Sequence, residues 1–88
     1  MDRFLGAEPD RMRRAARLMD DEAATLHDTF RAIDGRLKGA WWQGQDATQF
    51  HQRWEQHHRT RMLRAVEALR TSAEELRRQA LQQEQASS

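Results

Sequence analysis

Two heptad runs separated by a glycine-bracketed break leave this chain of 88 residues few folds to adopt. In the first run Met12, Ala16, Met19, Ala23, Leu26, Phe30, Ile33 and Leu37 alternate steps of four and three. In the second, Met62, Val66, Leu69, Ala73, Leu76 and Ala80 do the same. That spacing keeps one apolar seam on one face of a helix. Between the runs stands Gly39-Ala-Trp-Trp-Gln-Gly44. Glycine ends helices and enters backbone regions closed to other residues. The expected fold is therefore all-α, an antiparallel helix-turn-helix hairpin.

The boundaries follow. Pro9 suits a first helical position, so the first helix is expected over about 9–38, after a short lead-in. The turn covers 39–45. Asp46, with Gln49 three residues later, resembles a capping box and opens a second helix over about 46–84. The polar tail 85–88 frays. At the usual rise the helices measure ~45 Å and ~58 Å, so the second should outrun the first from about Ala80 onward. In its N-terminal half, Ala47, Phe50 and Trp54 carry the apolar face. From Trp54 through His58 and Met62 to Val66 the steps are four, four and four, a stutter expected to straighten the coil locally. Leu63, Ala65 and Leu81 widen the stripe, which suggests contact with more than one helix. Two helices alone bury little, so dimerisation into a four-helix bundle is the expected remedy.

Composition narrows the function. Lys+Arg total 15 and Asp+Glu 14, which argues against a dedicated nucleic-acid binder or a polybasic membrane binder. The cluster Arg11, Arg13, Arg14 and Arg17 lies within a turn of Asp10, Asp20, Asp21 and Glu22, as solvated helix neighbours do. There is no cysteine and no apolar run near the ~20 residues of a membrane span. The N-terminus lacks an apolar signal-peptide core, so any export is expected by a route that reads no such signal. His51, Glu55 and His58 share a helical face, yet in a pattern that reads better as a polar shoulder beside Trp54 than as a metal site. No Ser, His and Asp set has catalytic spacing, and no phosphate-binding loop is present. Neither an enzyme nor a cofactor is expected.

Two tryptophans in a turn are unusual, because turns favour small polar residues. Trp41 and Trp42 either cap the end of the hairpin or serve a partner. Trp42, Gln43 and Gly44 form a central Trp-Xaa-Gly motif, followed by Asp46-Ala47, Phe50 and Trp54. In this the chain resembles the Trp-Xaa-Gly hundred-residue superfamily, the early-secreted-antigen-like hairpins of type VII secretion, over nearly its whole length. The resemblance implies a type VII secretion substrate or co-substrate, secreted without a cleaved signal peptide from a cytoplasmic pool. It implies a homodimer or a heterodimer with a related hairpin, and the type VII secretion ATPase as a further partner. Trp42 and Gly44 match the motif, with Trp41 as an extra residue. Many members carry Tyr-x-x-x-Asp/Glu after the second helix's core. Here the nearest register is Ala80 to Glu84, with Leu81 between and no Tyr. A partner is then expected to supply the export signal and to engage the ATPase. The partner interface is expected to draw on Met19, Leu26, Phe30, Ile33, Leu37, Phe50, Trp54, Met62, Val66, Leu69 and Leu76. A rival reading is a cytoplasmic adaptor or targeting chaperone for a larger toxin. A membrane-active hairpin fits the balanced charge less well.

Overall fold

A computed structural model describes residues 2–39 and 44–87, with side chains from residue 8 onward except those of 45 and 46. Within these residues the chain is helical. Helix α1 is Asp2–Gly39, α2 is Gln45–Arg53, a π-helical segment covers Trp54–His58, and α3 is Arg59–Ser87. The last three run on as one rod. At 1.5 Å per residue, residues 45–87 make a helix of ~65 Å. The long axis of the molecule is 66 Å. So α1 lies alongside this rod within its length, and the two form an antiparallel hairpin.

Burial shows the seam. Pro9, Ala16, Ala23 and Phe30 are buried at intervals of seven on α1, as are Val66, Ala73 and Ala80 on α3. A hydrogen bond from Trp54 Nε1 to Asp34 Oδ1, 3.2 Å long, fixes the register near the turn. Farther along, Arg13 pairs with Glu84 and Asp20 with Arg77, seven residues apart on each helix. The buried layers of this seam are Ala16, Ala23 and Phe30 on α1 and Val66, Ala73 and Ala80 on α3. Alanine at most of these layers lets the two backbones approach closely.

Four expectations need correction. The first helix begins at Asp2 rather than at Pro9. Pro9 sits inside it, fully buried. Proline in a helix loses one hydrogen bond and crowds the carbonyl four residues earlier. Burying its ring offsets part of that cost. The extra turns also remove the expected overhang, since Ala80 is fully buried and Glu84 reaches Arg13. Helix continues to Ser87, beyond the expected end near 84. Finally, the capping box does not form. The N-cap is Gly44, without a side-chain cap, and Asp46 already lies inside α2.

The stutter takes a specific form. Met62 follows Trp54 by eight residues, one more than a heptad. The Arg59 N–H donates to the Trp54 carbonyl five residues back, the π pattern. The wider turn absorbs the surplus residue, so the apolar faces of α2 and α3 join without the seam drifting off.

Candidate protein-interaction surface

Three parts of the hairpin compete for the role of a site: the turn, the aromatic cluster beside it, and the long faces.

At the turn, Gly44 has φ 115° and ψ 177°. That region is essentially restricted to glycine. Its carbonyl accepts from both the backbone N–H and the hydroxyl of Thr48, each at 3.2 Å. Gly44 is thus required by the backbone that starts α2. Trp41 and Trp42, the other residues of the turn motif, lie outside the described residues.

The aromatic cluster locks the two helices together. The Trp54 ring stacks on Phe30 with centroids 5.9 Å apart and planes 11° from parallel. The His58 ring lies 6.1 Å from Trp54, tilted by 40°. Lys38 Nζ sits 3.0 Å from Asp34 Oδ2. The hydrogen bonds from Lys38 and Trp54 hold the Asp34 carboxyl below the usual carboxylate range, against the opposing effect of burial, with Lys38 and Arg59 adding attraction. Asp34 was not singled out in the sequence. The available signal was Trp54 itself: a half-buried indole N–H needs an acceptor, and Asp34 is the acid one turn beyond Phe30. Glu55 turns to Arg59 at 3.2 Å, and among the described residues no three His, Asp or Glu side chains converge on a metal-sized site.

The long faces differ in character. Helical geometry puts a residue four after a buried position ~40° to one side, and one three after it ~60° to the other. The first group holds Arg13, Asp20, Asp34, Arg77 and Glu84, and it closes one face with cross-helix ion pairs. Beside it Arg13, Arg17, Arg77 and Leu81 line a concavity of about 380 Å³. Two of its three arginines are already neutralised by Glu84 and Asp20. The second group gives the opposite face Met12, Met19 and Leu26 from α1 and Met62, Leu69 and Leu76 from α3. All six are half-buried, so each keeps apolar surface in water.

The expected interface residues divide accordingly. Met19, Leu26, Met62, Leu69 and Leu76 line the apolar face, and Ile33, 38% exposed, extends it. Phe30 and Val66 belong instead to the hairpin's own core, at 5% and 3% exposure, and are withdrawn from the partner surface. They stand at the fully buried heptad position within the hairpin. Trp54 is committed inside the chain to Phe30 and Asp34. Leu37 is half-buried toward the turn, and Phe50 is exposed with its ring edge-on to His51 at 6.3 Å. In the tail Ala80 is core, Glu84 is ion-paired, and Leu81 is exposed. Met12 belongs to the same apolar face although it was not among the expected interface residues. No helix among the described residues is long and apolar enough to cross a membrane.

Set against known proteins, the chain matches no family model, no curated protein sequence and no solved structure.

Proposed function

We propose that this chain is a protein-binding hairpin that serves as a type VII secretion substrate or co-substrate and forms a four-helix bundle with a second hairpin. The observation that carries the binding role is surface. The chain exposes 7037 Å². A compact monomer of 10.4 kDa exposes about 5,400 Å². The excess of roughly 1,600 Å² exceeds the ~800 Å² that each partner gives to a standard interface. The secretion role rests on the resemblance carried by Trp42, Gly44 and the flanking helices.

The tail supports a passenger role. Helix α3 keeps residues up to Glu84 packed on α1 through Ala80 and the Arg13–Glu84 pair. A segment tied down in this way is not presented to a secretion motor, and the Tyr that many family members carry there is missing. The partner then supplies the export signal, and this chain contributes Trp42 and its turn.

The test is mass spectrometry of cytosol and medium from the native cell, with and without the associated hairpin. Export that depends on the partner and drops in Trp42→Ala supports the reading. A chain that stays in the cytosol bound to a larger toxin points to the adaptor role instead.

A further inference from the structure

We propose that the concavity lined by Arg13, Arg17, Arg77 and Leu81 binds a small molecule that carries one negatively charged oxyanion on a short apolar group. This site lies on the ion-paired face and does not depend on the protein-binding role proposed above.

The concavity follows from the order of residues along the two helices. The Arg13–Glu84 and Asp20–Arg77 pairs bridge α1 and α3 seven residues apart, roughly 10 Å along the axis. Arg17 stands between Arg13 and Asp20 on α1, and Leu81 between Arg77 and Glu84 on α3. Each directly follows a fully buried alanine, Ala16 or Ala80, and so lies ~100° round its helix from the seam. The ion pairs therefore close the two ends, and Arg17 and Leu81 form the two sides. The enclosed volume of about 380 Å³ falls within the ~300–1,000 Å³ usual for small-ligand sites.

Charge selects the ligand's head. Glu84 and Asp20 hold the guanidinium groups of Arg13 and Arg77 in place. An arginine has five N–H donors, so each keeps donors for a further acceptor. A head already held loses less freedom when it binds. Arg17 is exposed and takes part in no ion pair among the described residues. Three cations thus line the concavity against two carboxylates, which leaves one positive charge for the ligand. Asp10 also reaches Arg13, at 3.5 Å, but it is 66% exposed and well screened by water.

The flanks limit the ligand's size. Asp10 stands one heptad before Arg17, and Glu74 one heptad before Leu81, beyond opposite ends of the concavity. Asp21 lies one turn past Arg17. A long polyanion would run into these carboxylates, whereas a single charge stays clear of them. Leu81, 53% exposed, supplies an apolar side to the concavity. An apolar arm laid on it removes that surface from water. A bare inorganic anion gains nothing there.

The probe is hexyl sulfate, titrated into the full isotope-labelled chain and followed by nuclear magnetic resonance. Saturable shifts are expected at the Nε–H groups of Arg13, Arg17 and Arg77 and at the Leu81 methyls. Inorganic sulfate should bind about tenfold more weakly or worse. Arg17→Gln should raise the dissociation constant for hexyl sulfate about tenfold. Leu81→Ser should weaken hexyl sulfate and leave inorganic sulfate unchanged. Both positions are exposed, so both variants should melt with the parent, and circular dichroism checks this. Vesicles of phosphatidylglycerol in phosphatidylcholine identify the source of the ligand. Cosedimentation that Arg17→Gln abolishes supports the site with a lipid headgroup as ligand, and no cosedimentation supports it with a free one. Shifts that never saturate, equal binding by Arg17→Gln, or shifts centred on Met19 and Leu69 would overturn the proposal.

Discussion

Trp54 lies flat on Phe30, with ring centroids 5.9 Å apart, and this stack joins the π segment to α1 where the two helices approach the turn. Phe30 is buried by it, and Trp54 keeps one edge in solvent. Trp54→Ala should therefore cost about 2–4 kcal/mol, at or below the range for a fully buried aromatic. Trp54→Phe keeps the stack but strands the Asp34 acceptor, and should cost about 1 kcal/mol. Thermal melts followed by circular dichroism test the order of the two.

Asp34 gives the hairpin a pH dependence. Its folded pKa lies below the unfolded value, so the carboxylate adds stability above the unfolded pKa. That contribution is lost as pH falls through the folded value. Asp34→Asn should therefore melt earlier than the parent at pH 7, and the gap should shrink as pH drops below about 4. An unchanged gap at pH 3 would show that Asp34 acts through shape rather than charge.

Two glycines should respond in opposite directions. A side chain at either Gly35 or Gly44 meets nothing within 4 Å, so backbone alone decides. Gly44→Ala forces alanine to φ 115° and should destabilise by about 1–3 kcal/mol. Gly35 lies within α1, where Gly35→Ala should stabilise by about 0.5–1 kcal/mol. Denaturant midpoints at constant m-value would separate the two effects.

The surplus residue of the π segment should be dispensable. Deleting Gln56 leaves Trp54 and Met62 one heptad apart and lets an α-helix run through. Its melting temperature should stay within about 5 °C of the parent, equivalent to about 1 kcal/mol. Deleting Gln79 instead rotates Ala80 and Glu84 off the seam, and should lower it further. Similar losses from both would mean that the π turn does more than absorb a residue.

Heptad spacing and the glycine-bracketed break between the two runs determined the helical class, the hairpin and the apolar stripe of each helix, because a four-and-three pattern fits one helical face and no strand. The spacing also marked the irregularity between Trp54 and Met62, since an eight-residue step is visible by counting. Tertiary structure decided the rest. Pro9 reads locally as a helix start, but in the fold the helix runs through it from Asp2, with its ring buried. The partner of the Trp54 indole, the burial of Ala80 and the Arg13–Glu84 pair all depend on how two distant segments align. The same alignment separates Phe30 and Val66, sealed in the hairpin, from Met19 and Leu69, left half-open. All four are apolar residues on one stripe of their helix. Spacing places a residue on that stripe, but only the angle at which the second helix meets it sets how much of the residue stays in water.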